Sequence, residues 1–157
     1  MAATNSSHRK GVGIMLVNKN GLILAGQRID CEIPAWQMPQ GGMHEGEAPL
    51  QAAFRELYEE VMVPKESVQL IAESKQWLKY DLPKEMINEL WNGMYIGQIQ
   101  KWFLMRFLGN DSDIKVDTAN QEFKSWQWVT QDLLIDSIID FKKELYLPII
   151  AELYCKI

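Results

Sequence analysis

A glycine-rich loop that runs into an amphipathic helix constrains this chain most, and it spans Gly41–Val63. Pro49 stands where a helix accepts proline, in its first turn, and Glu47 places negative charge at the positive end of the helix dipole. Apolar residues then recur at three- and four-residue steps, which predicts a helix of about four turns with one apolar stripe. The stripe consists of Leu50, Phe54, Leu57 and Val61.

The same helix carries three carboxylates on one side. A rotation of about 100° per residue places three glutamates on one side of the helix, well away from the apolar stripe. They are Glu56, Glu59 and Glu60. Like charges at this spacing repel by about 0.2–0.5 kcal/mol per exposed pair, and Arg55, one turn before Glu59, neutralises only part of that. A divalent cation would relieve the rest, and carboxylate oxygens suit Mg²⁺ or Mn²⁺. The alternative for an acidic run taken alone is a solvated helix face.

The spacing around these carboxylates resembles a family signature. Gly41 is followed after five residues by Glu47, and after seven more by the run RELYEEV at Arg55–Val61. The pattern resembles the box of the Nudix hydrolases, G-x5-E-x7-R-E-U-x-E-E-x-G-U, where U is aliphatic. Met62 departs from it, because it stands in place of the final glycine. A left-handed conformation at this position costs a residue with a side chain about 1–2 kcal/mol, so we expect Met62 to strain or reshape the helix exit.

Other segments resemble one branch of that family, which contains the bacterial RNA 5′-pyrophosphohydrolases and the related dinucleoside polyphosphate hydrolases. The segments are Pro39–Gly42, Trp77–Tyr80, Ile96–Phe103 and Phe141–Tyr146. The resemblance runs from about Arg9 to Leu153, which is nearly the whole chain. It implies the Nudix fold, an α+β domain built as a three-layer α/β/α sandwich with a mixed sheet.

The order of strand and helix patterns also favours a three-layer α+β domain. Besides the central helix, the patterns predict strands at Gly11–Val17, Leu22–Gly26, Val68–Tyr80 (one long strand or a bent pair), Tyr95–Leu108 and Glu122–Val129. Asn20-Gly21 is a hairpin signal between the first two. Leu82–Leu90 has loop and short-helix character, Trp91–Gly93 reads as a turn, and helices are predicted at Gln131–Ile138 and Phe141–Leu153. We expect a flexible tail at residues 1–8 and one domain over residues 9–155.

Composition limits the classes of function. The chain has 157 residues, of which 47% are hydrophobic and 24% charged, and its net charge of −5 gives no general attraction to nucleic acid. Cys31 and Cys155 are too few for a disulfide framework, so reduced thiols are expected. No apolar run approaches 18 residues and the first ten residues lack a signal-peptide core, which predicts a cytoplasmic protein. A monomer is favoured.

The resemblance assigns catalytic roles position by position. Glu56, Glu59 and Glu60 match metal-binding glutamates, and one of them or a neighbour would position or deprotonate the attacking water. Glu122 matches a distant glutamate that adds a further metal ligand or a base. Arg55 matches an arginine that orients a catalytic glutamate through a salt bridge.

The resemblance also assigns substrate contacts. Arg9 and Arg28 match basic positions that face the phosphates or the first nucleotide, and the backbone at Gln40, Gly41 and Gly42 would help to hold metal and phosphates. Phe141 and Lys142 match a base-stacking aromatic and its basic neighbour, and Tyr80 is a weaker candidate for a phosphate or base contact. Each has a structural alternative, because Phe141 fits a core position and an arginine fits a surface. His8 is assigned to the tail, His44 to an exposed loop and most of the six tryptophans to the core.

These residues predict metal-assisted hydrolysis of a phosphoanhydride, with Mg²⁺ or Mn²⁺ as cofactor. The expected reaction removes pyrophosphate from a 5′-triphosphorylated RNA end and leaves a 5′-monophosphate. The main alternative substrate is a dinucleoside polyphosphate such as diadenosine tetraphosphate. Two further alternatives are another Nudix activity, on nucleoside triphosphates or nucleotide sugars, and an inactive Nudix scaffold that only binds.

Overall fold

The structure is a computed structural model that describes residues 7–30, 35–87 and 91–157. Most of the predicted tail, Cys31 and the last three residues of the predicted 82–90 segment lie outside these ranges. Cys155 is a free, exposed thiol. No helix in the described ranges is long and apolar enough to cross a membrane.

Eight strands of the described residues form one mixed sheet. The strands are β1 (His8–Val17), β2 (Ile23–Arg28), β3 (Trp36–Gln37), β4 (Gln40–Gly42), β5 (Val68–Glu73), β6 (Leu78–Asp81), β7 (Gly97–Phe107) and β8 (Phe123–Val129). The main order is β3-β2-β1-β7-β5, with β8 beside β2, β4 beside β1 and β6 beside β7. β1 and β7 run parallel, whereas the other pairings in the described residues are antiparallel.

The predicted hairpin at the start of the chain is confirmed. β1 and β2 pair through Val17 and Ile23, and the Asn18 side chain accepts the N–H groups of Asn20 and Leu22 at 2.9 Å each. β1 begins three residues earlier than predicted, at His8. The assignment of His8 to a frayed tail is therefore wrong, because its Nε2 lies 2.6 Å from Asp81 Oδ1 at the end of β6.

Helices cover both faces of the sheet. They are α1 (Pro49–Val61), α2 (Lys84–Ile87), α3 (Gln131–Ser137) and α4 (Asp140–Leu153). α1 packs against the face that carries Val12, Ile14 and Leu16, whereas α4 packs against the face that carries Met15 and Trp102. The three apolar positions predicted for α4 at steps of four, Leu145, Ile149 and Leu153, are all buried.

The predicted strand over Val68–Tyr80 is a bent pair, the second of its two alternatives. β5 and β6 both pair antiparallel with β7, and the chain turns between them at Ser74. This buried serine donates its N–H to the carbonyl of Trp102 at 2.8 Å and accepts the N–H of Trp102 at 3.1 Å. The Ser74 hydroxyl thus accepts the Trp102 N–H in place of a strand carbonyl where the bend interrupts the strand pairing.

The exit of α1 keeps the shape that a glycine would give it. Met62 takes the left-handed conformation itself, with φ 59° and ψ 29°, and donates its N–H to the carbonyl of Tyr58 at 2.9 Å. Of the two expected outcomes, the turn is strained and not reshaped.

Candidate active site

Two of the three helix glutamates are buried, which excludes the solvated-face alternative. Glu56 is 9% exposed and Glu60 is 2% exposed, whereas Glu59 is exposed. β4 lies directly over Glu56, since a Cβ at Gly41 would overlap the Glu56 carboxylate. Glycine at this position therefore lets the backbone of β4 sit against that carboxylate.

Glu60 is the least satisfied polar group of the site. Neither of its carboxylate oxygens has a hydrogen-bond partner among the described residues. Burial raises the pKa of Glu60 well above its ordinary value, and the charges of Glu122 and Glu56 raise it further. Burial also raises the pKa of Glu56 to about 7, against the opposing effect of Arg55. A buried carboxylate without a partner is costly, and a cation bound at this position would reduce that cost.

The carboxylates fit a hard divalent cation by chemistry and by position. The charge of Glu122 lies close enough to raise the pKa of both Glu56 and Glu60, and oxygen ligands suit Mg²⁺ or Mn²⁺. In the described ranges, no three His, Cys, Asp or Glu side chains are already arranged as a complete ligand set. A complete set of metal ligands would require a side chain to rotate, and the exposed Glu59 side chain has space to do so.

Arg55 joins the loop before α1 to the helix glutamates. Its Nε and Nη2 donate to the Glu47 carboxylate at 2.8 and 2.9 Å, and its Nη1 donates to Glu56 Oε1 at 2.8 Å. Nη1 also lies 3.2 Å from Glu59, and Nη2 donates to the Gly42 carbonyl at 2.7 Å. Arg55 lowers the pKa of Glu47 to about 2. Glu47 therefore fixes Arg55, a role beyond the predicted interaction with the helix dipole.

Glu122 reaches the carboxylates from the loop before β8. Its carbonyl accepts the N–H of Ile29 at 2.8 Å, which ties this loop to the end of β2. Its side chain borders two cavities. The smaller, of about 490 Å³, also contacts Glu59, Glu60, Met62 and Thr118. Glu122 is therefore placed where the two cavities meet the helix glutamates.

The larger cavity, of about 550 Å³, brings the predicted substrate residues together. A volume of this size holds a small-molecule ligand or the end of a larger one. The eight predicted contact residues all line it, and they are Arg9, Arg28, Gln40, Gly41, Gly42, Tyr80, Phe141 and Lys142.

One end of this cavity is aromatic and contains a buried cation. The rings of Phe141 and Tyr80 lie 5.9 Å apart between centroids, and Lys142 Nζ lies 5.6 Å from the Tyr80 ring. Lys142 Nζ also donates to Gln37 Oε1 at 3.2 Å. Burial lowers the pKa of Lys142 to about 7. Phe141 is half-buried, so it packs on the core and still presents ring surface to the cavity.

The two arginines of the cavity differ in their partners. Arg28 donates through Nε and Nη2 to the Asp30 carboxylate at 2.8 and 2.6 Å, and this pairing raises the pKa of Arg28. Arg9 has no carboxylate partner within the described residues. Its guanidinium packs where a Cβ of Gly42 would lie and sits 5.1 Å from the centre of the Trp91 ring. Of the two arginines, Arg9 is thus the one that is available to an anion.

Buried amides form the floor beneath Gln40. Gln100 donates to Gln40 Oε1 at 3.3 Å and to Gln98 Oε1 at 3.1 Å, and it accepts from Trp102 Nε1 at 3.0 Å. From the α4 side, the Tyr146 hydroxyl accepts the N–H of Met38 at 2.9 Å. Both helix layers therefore position the β4 loop. The signal in the sequence is a pair of glutamines, Gln98 and Gln100, two residues apart in a strand rich in apolar residues.

Sequence reasoning missed several residues that line the larger cavity. They are Ile29, Asp30, Gln37, Leu82, Met86, Trp91, Gln98, Gln121 and Ile139. Trp91 was assigned to a turn, and its ring faces the cavity beside Arg9. His44 is exposed, as expected.

Comparison with known proteins decides the family, because the NUDIX domain matches residues 7–149. The chain belongs to the NUDIX family. Two curated Nudix relatives are the RNA pyrophosphohydrolases of Rickettsia conorii and Cereibacter sphaeroides, which are 50% and 48% identical over 145 and 144 residues. Each match spans 92% of this chain and 89% of the relative. The chain is therefore a Nudix hydrolase of the branch that contains the bacterial RNA pyrophosphohydrolases.

Solved Nudix structures share the fold. An Ap4A hydrolase from C. elegans superposes with a TM-score of 0.67 at 22% identity and covers 92% of this chain and 97% of its own. The E. coli dihydroneopterin triphosphate pyrophosphohydrolase superposes with a TM-score of 0.72 at 17% identity, over 92% and 98%. At this identity the likeness is one of fold, and it confirms the mixed sheet between helices predicted from the sequence.

Proposed function

We propose that this Nudix hydrolase removes pyrophosphate from the 5′-triphosphate end of RNA and leaves a 5′-monophosphate. The observation that carries the proposal is one cavity in which basic and aromatic side chains meet the carboxylates of α1. The bacterial relatives at 48–50% identity are RNA pyrophosphohydrolases. Such a substrate would place the protein in the cytoplasm, and we favour a monomer because one chain supplies the whole set of residues.

The charges that line the cavity argue for a metal cofactor. Three basic side chains, Arg9, Arg28 and Lys142, are matched by three acidic ones, Asp30, Glu56 and Glu122. A triphosphate adds several negative charges to this balanced set. A divalent cation between the phosphates and the carboxylates would neutralise them.

We assign the cation, Mg²⁺ or Mn²⁺, to Glu56, Glu59 and Glu60, with Glu122 as a further ligand. The unpartnered oxygens of Glu60 support this assignment. When bound, such an ion polarises phosphoryl oxygens and lowers the pKa of coordinated water.

The chain's own residues bind and orient the substrate. Phe141 stacks the base against the Tyr80 side of the cavity, a contact worth about 1–3 kcal/mol. Arg9 and Lys142 bind phosphate oxygens, and Arg55 holds Glu56 and the Gly42 carbonyl in place through its hydrogen bonds. Water adds across the α–β phosphoanhydride, so that the bridging P–O bond breaks and pyrophosphate leaves.

A dinucleoside polyphosphate is the second candidate substrate. It carries the same base, ribose and polyphosphate unit. Other Nudix activities are less favoured, because the Phe141–Lys142 and Tyr80 positions converge on one cavity. An inactive scaffold is also less favoured, since the three glutamates are present and Met62 keeps the helix exit in shape.

The proposal is tested by comparing wild type with Glu59→Gln, with and without Mg²⁺, on 5′-triphosphorylated RNA and on diadenosine tetraphosphate. Glu66→Gln is the matched control, because Glu66 is exposed and outside both cavities. Products are identified by chromatography. We expect Mg²⁺-dependent pyrophosphate release from RNA, at least ~100-fold slower in Glu59→Gln and unchanged in Glu66→Gln.

Each other outcome is decisive. Faster cleavage of the dinucleotide than of RNA would move the assignment to the second candidate. Turnover without metal, or equal rates in wild type and Glu59→Gln, would exclude the proposed carboxylate site. Absence of turnover by wild type on both substrates would support the inactive scaffold.

A further inference from the structure

Two lysines lie in one row on the face of the sheet that is turned away from the cavity. Lys10 on β1 and Lys79 on β6 both pair with Ile99 on β7, so these three side chains point to the same face. The adjoining row lines the cavity and consists of Arg9, Gln98 and Tyr80. Because successive side chains along a strand alternate between the two faces, Lys10 and Lys79 point away from the cavity.

α1 leaves this part of the sheet face uncovered. Val12, two residues after Lys10 on β1, is buried in the cluster beneath α1, whereas Lys10 and Lys79 are exposed. Ile99 between the two lysines is half-buried. The cover that α1 gives to the sheet therefore ends between Val12 and Lys10, and the row lies at the surface.

Two further lysines adjoin the row. Lys101 follows Ile99 by two residues on the same face of β7, and its Nζ donates to the carbonyl of the exposed Lys75 at 3.5 Å. The Trp77 ring lies beside them, with its centre 5.8 Å from Lys10 Nζ. We call this group of four the lysine patch, and its members are Lys10, Lys75, Lys79 and Lys101.

The acidic side chains beside the lysine patch are already engaged. Glu73 lies 3.8 Å from Lys101 Nζ, and Asp81 lies 2.6 Å from His8 Nε2. The other three lysines of the patch have no carboxylate partner in the described ranges. The whole chain has a net charge of −5, so the patch is a local reversal of sign that attracts a polyanion.

The lysine patch and the cavity meet at β1. Arg9 faces the cavity, and the next residue, Lys10, faces the patch. Gly42 also lines the cavity, and the N–H of its neighbour Met43 donates to the Lys10 carbonyl at 3.1 Å. The two surfaces are thus separated by the thickness of the backbone of β1 and β4. A nucleotide chain that leaves the cavity over this edge reaches the patch within a few nucleotides.

We propose that the lysine patch binds the phosphate backbone of a single-stranded RNA whose 5′ end occupies the cavity. Lysine ammonium groups on flexible stems bind phosphates as point charges and read no sequence. The Trp77 ring faces Lys10 and holds that lysine in place. This inference rests on the proposed function and adds to it that nucleotides beyond the cavity contribute to affinity. A dinucleoside polyphosphate has no such chain and gains nothing from the patch.

The test compares substrates that share a 5′ end and differ in length. They are a 5′-triphosphorylated trinucleotide and a 5′-triphosphorylated single strand of about 12 nucleotides, with diadenosine tetraphosphate as a third substrate. The variant is the double substitution Lys10→Gln and Lys79→Gln. The matched control is Lys19→Gln with Lys65→Gln, which removes the same charge from exposed lysines after β1 and after α1, outside both cavities.

We expect wild type at low salt to prefer the longer RNA in kcat/KM, and the patch variant to lower the ratio of long to short RNA at least ~5-fold. Hydrolysis of the trinucleotide and of diadenosine tetraphosphate should be unchanged, which shows that the cavity is intact. The control variant should keep the ratio of wild type. An unchanged ratio in the patch variant, or an equal loss in the control variant, would overturn the inference.

Failure of the proposed function is read separately, by equilibrium binding of a 5′-hydroxyl RNA of the longer length, followed by fluorescence anisotropy. Each phosphate contact of a single strand adds about 0.7 to the slope of log affinity against log salt, so loss of two lysines should lower that slope by about 1.4. Between about 50 and 200 mM salt, wild type should then lose ~7-fold more affinity than the patch variant.

This binding measurement requires no turnover. If wild type hydrolyses none of the substrates, the proposed function fails, and the lysine patch is judged by the salt slope alone. Equal slopes in wild type and the patch variant would overturn the inference. So would binding of polyglutamate of the same total charge as tightly as RNA through the same lysines, because the patch would then be a docking site for an acidic protein.

Discussion

At the scale of the residue, Lys142 has the most unusual environment of the cations in the cavity. Lys142 is 4% exposed, and the hydrogen-bond partner of its ammonium, Gln37, is neutral. Burial, together with the positive charge of Arg28, therefore lowers the pKa of Lys142 to about 7. A bound phosphate would restore the charged form, so binding of a polyphosphate takes up a proton near neutral pH.

The first prediction concerns the pH dependence of stability. Between pH 7 and about 10.4, the unfolded chain keeps the Lys142 proton and the folded chain releases it, so the free energy of unfolding rises with pH. The slope from this one group is at most about 1.4 kcal/mol per pH unit. Urea unfolding of Lys142→Met should lack this contribution, whereas the neighbouring Lys143→Met should keep it. Equal slopes in wild type and Lys142→Met would show that the buried amine stays charged.

At the scale of the element, the end of α1 shows how a sequence departure is absorbed. Met62 keeps the left-handed turn that leads into Val63 and the loop beyond, and α1 remains helical through Val61, so all three glutamates lie within the helix. The strain is local because the helix is held along its length by Ala52, Leu57 and Val61 in the core.

The second prediction follows from that strain. Met62→Gly should stabilise the protein by ~1 kcal/mol or less, because relief of about 1–2 kcal/mol of strain is partly offset by the larger entropy of glycine in the unfolded chain. For a chain of this size the melting temperature should rise by about 2–4 °C per kcal/mol. Met62→Ala keeps a Cβ at the strained position and should show no such rise. A lower melting temperature for Met62→Gly would mean that the packing of the methionine side chain outweighs its strain.

Elements with a strong local pattern were predictable, and contacts between distant elements were not. The periodicity of α1 and the Asn20-Gly21 turn encode their own structure. The pairing of His8 with Asp81 joins residues 73 apart, and nothing in either local pattern indicates it. The burial of Glu60 follows from β4 lying over α1, which also is a tertiary contact. The candidate site was found through the spacing of a family signature, whereas Trp91 lies outside that signature.

At the scale of the whole molecule, the site lies where α1 and α4, which cover opposite faces of the sheet, both contribute residues to one cavity. α1 brings carboxylates from one face, and α4 brings Phe141 and Lys142 from the other. This arrangement buries like-charged groups near one another, and no basic side chain in the described part of the chain pairs with Glu60. The metal-free protein should therefore have a lower free energy of unfolding than the packing of its hydrophobic core alone would give.

The third prediction tests that consequence through pH and metal together. Glu56 has a pKa of about 7 in the folded chain and Glu60 one well above its ordinary value, so from pH 4.5 to 7 the folded chain holds protons that the unfolded chain has lost. The free energy of unfolding of the metal-free wild type should therefore fall as pH rises through this window. The opposite contribution of Glu47, whose pKa is about 2, is complete above pH 4.5 and does not interfere.

Added Mg²⁺ or Mn²⁺ should reverse the fall at the upper end of the window, because a cation binds the deprotonated carboxylates of the folded chain. The gain is about 2.7 kcal/mol when the metal is at 100 times its dissociation constant. Chemical unfolding of Glu60→Gln should show a smaller fall with pH and a smaller gain from metal, while Glu66→Gln should match wild type. If metal stabilised Glu60→Gln as much as wild type, Glu60 would not be a ligand, and its burial would then be a cost of the fold that no cation offsets.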